Sequence, residues 1–437
     1  MATFMPALNR ISQTAPDALT LLRILSFCDP ENIPVSILKQ GCGALYQGDR
    51  RDRPIASAVN ELGAVIGLFQ SSTRLSKAIQ EIRRLSLAVF TLEGSEGMVR
   101  IHDLVQLLLR SKLIAAAERE QWLEMVICIV CKAFDEIGDR RSPRNWSRCG
   151  QFISHIEFMK GFAEQYGLHS ATLLDASTWA AIYFDECGLY QKAASMHAQT
   201  WDQKKAVLGE EHPDTLNSMA NLASTYRNQG RWKEAEELEV GVMETTKRVL
   251  GEEHPDTLIS MANLAATYRN QGRWKEAEEL EMGVMKTTKR VLGEEHSDTL
   301  SSMANLASTY RNQGRWKEAE KLEMEVMKTT KRVLGEEHPH TLSSMANLAS
   351  TYRNQGRWKE AEELDVGVMK TRKRVLGEEH PRTLTSMANL AFTWKAQGRN
   401  AKAIKLMKEC INLRSRILDV DHPHTLSSSA ALTGWQN

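Results

Sequence analysis

From Gly209 to the C-terminus the apolar positions obey two periods at once. The short period is helical. Leu216, Met219, Ala220, Ala223 and Tyr226 fall three or four apart, or adjacent on one face, and Ala235, Leu238, Val242, Met243, Thr246, Val249 and Leu250 form a second such stripe. The long period is 42 residues, marked by Leu216, Leu258, Leu300, Leu342, Leu384 and Leu426. A fixed period of about 20–50 residues is the signature of a solenoid, in which each unit buries its apolar face only against its neighbours.

One unit reads as two helices, from about Pro213 to Gln229 and from about Trp232 to Leu250. Pro213 is tolerated in a first turn, and Asp214 favours the positive end of the helix dipole. Gly230 ends the first helix as a left-handed cap, and Gly251 stops the second. Small residues at 220, 223 and 235 allow close approach, with Tyr226 and Trp232 filling the space between pairs. Near-identical units begin at His212, His254, His296 and His338. A fifth, from His380, carries Trp394 for the tyrosine and Asn400 for the tryptophan, and a half unit runs from His422 to Asn437. Phe184, Gly188, Tyr190 and Ala193 lie one period before Tyr226, Gly230, Trp232 and Ala235, so residues 170–211 form a divergent first unit. Atypical end units cover the exposed apolar ends that a solenoid otherwise leaves.

Gly230-Arg231-Trp232-Lys233-Glu234-Ala235-Glu236, with Asn221-Leu222-Ala223 upstream, resembles a tetratricopeptide repeat of the 42-residue, kinesin-light-chain type. The resemblance covers residues 170–437. It implies that the first helix of each pair lines a concave groove. On that helix Asn217, Asn221, Ser224 and Asn228 make a second stripe opposite the core. Asn221, Asn263, Asn305, Asn347 and Asn389 are the same in all five units, whereas position 217 becomes Ile259, Ser301, Ser343 and Thr385. Position 224 becomes Ala266, Ser308, Ser350 and Phe392, and position 214 changes to His340 and Arg382. A primary amide offers two donors and an acceptor, enough to grip an extended peptide backbone; in kinesin light chains the matching asparagine is thought to do so. The varying neighbours then set specificity. The other reading is that each asparagine bonds the adjacent unit.

Other residue types are expected to be structural. The histidines of Glu-Glu-His-Pro each sit alone at a turn, too far apart across a helix pair to share a metal ion. The Trp232 series is expected in the core. Lys247-Arg248 and Lys289-Arg290 fall in last turns, where they complement the negative helix end. The net charge of +1 with 25% charged residues points to neither nucleic acid nor an anionic membrane as partner. No run approaches a membrane span, and Met1–Pro16 lacks the pattern of a secretory signal. Among the seven cysteines, Cys128 and Cys131 form a C-x-x-C inside an apolar helical run, which suits buried thiols in a reducing, cytoplasmic compartment.

The N-terminal third has no repeat. Ala18–Phe27, a segment from Asn32 with Pro34 near its start, and Leu75–Leu85 read as helices. Leu87–Phe90 and Met98–Ile101 read as strands about a turn at Glu93–Gly97, and a helix follows from His102 to Leu113. This order resembles the winged-helix region that follows the nucleotide-binding module of STAND-class, NOD-like receptors. Ile101-His102-Asp103 matches that family's Met-His-Asp motif, with Ile for Met. The resemblance implies that His102 once contacted a nucleotide diphosphate. The sequence holds no G-x-x-x-x-G-K-[ST], so His102 and Asp103 are expected to be a relic, in a fragment of a longer gene or in a derived form without the motor. Trp122, Trp146 and Phe158 are expected to pack in a connector.

The expected fold is mostly α: a winged-helix domain at 1–116, a helical connector at 117–169 and an α-solenoid, a tetratricopeptide superhelix, at 170–437. The expected function is non-enzymatic recognition of a protein or peptide by the sensor half of a STAND-like receptor, with no cofactor or metal. A kinesin-light-chain-like cargo adaptor calls for a heptad coiled coil before the repeats, and none is visible. A DNA-binding regulator is disfavoured because Lys39 is the one cation of Val35–Gly41, and Asp49 and Asp52 dilute Arg50, Arg51 and Arg53. Calorimetric titration with ATP or ADP is expected to show no binding tighter than about 100 μM, roughly −5.5 kcal/mol; a tighter site would overturn the relic reading of His102.

Overall fold

The computed structural model describes residues 4–47, 59–93 and 96–436; Asp49, Arg50, Arg51, Asp52 and Arg53, the turn residues Gly94 and Ser95, and Asn437 lie outside them. The chain divides into two compact parts, Met1–Tyr183 and Phe184–Asn437.

The first part begins with α1 (Met5–Thr14) and α2 (Pro16–Leu25), followed by β1 (Ile33–Pro34) and three helices, α3 (Val35–Gln47), α4 (Val59–Gln70) and α5 (Ser72–Arg84). A hairpin of β2 (Ala88–Glu93) and β3 (Glu96–Ile101) follows, and β1 completes an antiparallel sheet of order β1-β3-β2. Val99 pairs with Phe90 on one side and Ile33 on the other. The sequence pattern places Ile33 and Pro34 at a helix start; they are strand, and Pro34 is tolerated because β1 is a short edge strand. The pattern does not reveal α4, because Val59–Gln70 is apolar at almost every turn and shows no clear stripe. Then come α6 (Asp103–Leu108), which passes into a π-helical turn at Leu109–Leu113, α7 (Arg119–Asp135), α8 (Trp146–Tyr166) and α9 (Ala171–Glu186), which crosses into the second part. Trp122 is fully enclosed, while Trp146 and Phe158 are partly buried. Cys128 and Cys131 lie inside α7, where burial pushes the Cys128 thiol up to about 11 and the Cys131 thiol well above its ordinary value. Neither is a ready thiolate.

The second part stacks helix pairs. After α10 (Tyr190–Leu208) come α11 (Pro213–Asn228) and α12 (Trp232–Leu250), α13 (Pro255–Asn270) and α14 (Trp274–Leu292), and α15 (Ser297–Asn312) and α16 (Trp316–Leu334). They continue with α17 (Pro339–Asn354) and α18 (Trp358–Leu376), α19 (Pro381–Ala396) and α20 (Asn400–Ile417), and end in α21 (Pro423–Gln436). The histidine before each first helix is its N-cap. His254 Nδ1 accepts from the Asp256 N–H at 3.2 Å, and the other units repeat the bond. His102 does the same for Leu104 at 3.0 Å at the start of α6. Gly230 takes φ +76°, the left-handed cap expected of it.

Polar ladders tie one unit to the next. Gln271 donates to the Trp232 carbonyl and to Glu236, and Arg273 joins Glu236 at 2.7 Å; the set returns at Gln313 and Arg315, Gln355 and Arg357, and Gln397 and Arg399. The Lys-Arg pairs are also ladder members. Lys289 meets Glu294 in the following loop, and Arg290 reaches back to Glu253. Trp232, Trp274, Trp316 and Trp358 are 39–43% exposed, which corrects the expectation of core packing. Each is the first residue of its helix, one turn before the buried alanine, and its ring overhangs the layer; the guanidinium beside it lies over the tyrosine instead, as Arg231 does on Tyr226 at 3.9 Å.

A buried ion pair sits inside each central unit. Arg227 meets Glu239 at 2.7 Å, Arg269 meets Glu281 and Arg311 meets Glu323 at 2.9 Å, with each glutamate 2–3% exposed. Each arginine also donates to the carbonyl of the next unit's asparagine, Asn263, Asn305 or Asn347. Burial pushes the Glu239 carboxyl up to about 7, with Thr267 and Arg227 acting against it. In the first unit the residue types change places: an acid, Asp185, stands at the arginine position and His197 at the glutamate position, 3.1 Å apart.

The array returns to its own beginning. His422 Nδ1 accepts from the His424 N–H at 3.1 Å, so its proton is on Nε2, which donates to the Glu186 carbonyl at 3.2 Å. The residue is 6% exposed, whereas the side chains of His212, His254 and His296 are 39–43% exposed. A Cβ on Gly188, which has φ +74°, would stand 2.5 Å from Cδ of Pro423.

Two outcomes are expected. Arg311→Ala strands the Glu323 carboxylate and should cost about 3 kcal/mol, while Arg311→Ala with Glu323→Gln should recover most of the loss in calorimetric midpoint; equal midpoints for the two would dissolve the argument. Burial lowers the His422 pKa below its ordinary value, so the neutral ring belongs to the closed form. The contact should be complete above about pH 6.5 and be lost as pH falls through the lowered value. Hydrogen exchange at 186–190, corrected for intrinsic rate, should accelerate on acidification, with the equivalent loop at 228–232 unchanged.

Candidate functional site

Position 221 faces away from the buried side of each first helix, one turn after position 217 and one before 224 and 225. The five asparagines are half-buried. Among the described residues none of their side-chain amides is hydrogen-bonded; Asn263, Asn305, Asn347 and Asn389 lend only backbone carbonyls, to Arg227, Arg269, Arg311 and Arg353. Tying of adjacent units belongs to the glutamine, arginine and glutamate ladder instead.

Two cavities with closely similar linings, shifted by one period, open beside two of these amides, Asn263 and Asn305. The first, of about 320 Å³, includes Asn217, Ile259 and Asn263 with Val242 and Thr246. The second, of about 240 Å³, includes Ile259, Ser301, Asn263 and Asn305 with Val284 and Thr288. Val249 and Leu250, and Val291 and Leu292, line them too, and the valines are 47% exposed. These last-turn residues are not core as their stripe suggests, because the helix outruns the layer that covers it.

The variable neighbours divide by contact. Asn217, Asn228 and Ser301 are exposed, and Asn228 lines neither cavity. Ile259 is 57% exposed, an uncovered aliphatic side chain between the two cavities. Ser224, Ser308 and Ser350 accept from the arginine three residues on, at 3.2–3.3 Å. Phe392 stands edge-on to Trp435 at 5.2 Å.

One column breaks pattern in a way the apolar periodicity conceals. Thr246, Thr288 and Thr330 meet Ser260, Ser302 and Ser344 across the unit boundary. The next two members are Arg372 and Arg414. Arg372 donates to the Arg382 carbonyl at 3.2 Å and to Ser343 Oγ at 3.3 Å. Arg414 donates to the His424 carbonyl at 2.8 Å, to Ser428 and to Thr385 Oγ1. Burial lowers the pKa of both. The legible signal is a cation replacing threonine, at Arg372 within an otherwise near-copied helix and at Arg414 within a divergent one.

Elsewhere, His102 spends Nδ1 on the helix cap, and Asp103 opens the first turn of α6. Among the described residues no three His, Cys, Asp or Glu side chains cluster to hold a metal ion, and no helix is long and apolar enough to cross a membrane.

The tetratricopeptide-repeat family model matches five times in succession, over residues 215–256, 257–298, 299–340, 341–382 and 383–424. Among solved structures, the nearly identical TPR-like repeats of a Podosopora anserina protein of the kinesin-light-chain kind are 33% identical, over 47% of this chain and 97% of that one, with a TM-score of 0.41. A signal transduction ATPase with numerous domains and a tetratricopeptide-repeat sensor, from Pyrococcus horikoshii, is 16% identical over 96% of this chain and 59% of that one, with a TM-score of 0.43. The quorum sensor NprR from B. thuringiensis is 11% identical over 85% of this chain and 90% of that one, with a TM-score of 0.49. No curated protein matches the chain.

Proposed function

We propose that the solenoid, whose residues 215–424 match the tetratricopeptide-repeat family model, is a recognition surface for an extended peptide or protein segment, gripped by Asn221, Asn263, Asn305, Asn347 and Asn389. The observation that carries this reading is the unspent amide. Five primary amides, each able to donate and accept, stand at one-period intervals without a hydrogen-bond partner among the described residues, and two of them, Asn263 and Asn305, line cavities with aliphatic walls. An extended backbone presents complementary groups at regular spacing. The residues that change between units, Asn217, Ile259, Ser301 and Ser343 in one column, then select side chains. The function is binding and not catalysis.

For the first part, the helices with a sheet of order β1-β3-β2, and His102-Asp103 directly after β3, support reading residues 1–116 as a winged-helix region of the STAND type, with 117–169 as its connector. In that reading the chain is the sensor half of a receptor, working in the cytoplasm, and His102 is a relic whose ring now serves only a helix start.

Peptides selected from a random library on the full chain provide the test. Asn305→Ala with Asn347→Ala is expected to weaken the selected peptides by about tenfold or more, about 1.4 kcal/mol, with the calorimetric midpoint nearly unchanged. A midpoint lowered by several degrees with every peptide still bound would make the ladder structural.

A further inference from the structure

We propose that the last units of the groove contain an anion-binding site, centred on Arg372 and Arg414, that takes carboxylates of the bound peptide. The inference rests on the recognition reading above and names the chemistry of one end of its ligand.

Both guanidiniums belong to residues that are more than nine-tenths buried, at 6% and 5% exposure. Among the described residues neither has a carboxylate within ion-pairing distance; their partners are carbonyls and hydroxyls only. The rest of the array does not treat buried arginine this way. Arg227, Arg269 and Arg311 each have a glutamate at 2.7–2.9 Å, and Asp365 favours the charge of Arg353. A buried cation without a counter-charge costs several kcal/mol, and a guanidinium offers five donors in a fork that fits carboxylate. Arg372 has spent two such bonds and Arg414 three, so each keeps donors for a ligand.

Their placement points to the groove. Arg372 bonds Ser343 and Arg414 bonds Thr385, and both acceptors belong to the column of Asn217 and Ile259 that lines the cavities. The two guanidiniums stand one unit apart along that column. A second column loses its negative charge in the same direction. Asp214, Asp256 and Asp298 open the first helices of the central units, but His340, Arg382 and His424 open the last three. The Thr246 column also starts with a cation, Lys204, but that residue has a partner within the chain. Burial lowers the His424 pKa, so the charge of this column at that end is carried by Arg382. Acidic side chains thus give way to Arg382 beside Arg372 and Arg414, and the carboxylates of an extended peptide belong at that end.

The test uses the full chain with Arg372→Thr and Arg414→Thr, which restore the residue found at Thr330. The probes are a short fluorescein-labelled oligoglutamate, the matching oligolysine, and inorganic phosphate as competitor. Oligoglutamate is expected to bind, each variant to weaken it by about tenfold or more, and the calorimetric midpoint of each variant to hold or rise. Unchanged affinity in the double variant overturns the proposal. So does a midpoint that falls by several degrees in a protein that never bound oligoglutamate, since the arginines are then ties between units. Binding of phosphate without oligoglutamate assigns the site to a free anion and also overturns it. If library peptides need the asparagines but ignore both arginine variants, this inference fails alone. If oligoglutamate needs the arginines but ignores the asparagine variants, the ladder reading fails alone.

Discussion

A carboxylate taken out of water has to be met by a positive charge, and this solenoid meets that demand once in every central unit. Arg227, Arg269 and Arg311 join the two helices of one pair and, through the following asparagine carbonyl, bind the next pair as well. The contact is directional where apolar packing is not. It therefore sets the register in which one pair stacks on another, and with it the line along which the asparagine side chains follow one another. Near the ends the rule relaxes. Asp185 and His197 take the arginine and glutamate places in the first unit, while Lys395 and Met407 replace the pair in the last complete one.

The repeat, its two helices, the histidine before each first helix and the left-handed Gly230 are all legible in the chain, because they are local: an apolar stripe, a cap and a stop lie within one window. The buried glutamates are not. Glu239 reads as one charge among many on a polar helix, and only its distance to Arg227, twelve residues away, makes it interior. Trp232 misleads in the opposite sense, since its size suggests burial and its place at a helix start prevents it. In the first part, β1 is too short for an alternating pattern and α4 too uniformly apolar for a helical one. The candidate site is half legible. Comparing units exposes the constant asparagines and their changing neighbours, but Arg372 and Arg414 sit within what periodicity marks as core.

Recognition by such a surface separates two tasks. Constant amides treat every unit of an extended chain alike, and the neighbours that changed supply whatever distinguishes one ligand from another. Stability is insulated from change at Asn217, Ile259 and Ser301, which lie away from the ion pairs and the glutamine ladder, whereas Ser224 and Ser308 accept from the ion-paired Arg227 and Arg311. Residues of the first set can then be exchanged singly without disturbing the stack.

The contact between His422 and Glu186 has an arithmetical consequence. An array of near-copies can gain or lose a unit by misaligned recombination, and a solenoid usually tolerates this, because each unit answers only to its neighbours. Here the tally is checked. Insertion or deletion of one unit would carry His422 and Pro423 a full step away from Glu186 and Gly188, leaving the ring of His422 open to water and the loop at Gly188 uncovered. The number of units is thus a property that the fold itself registers, alongside the letters within each one.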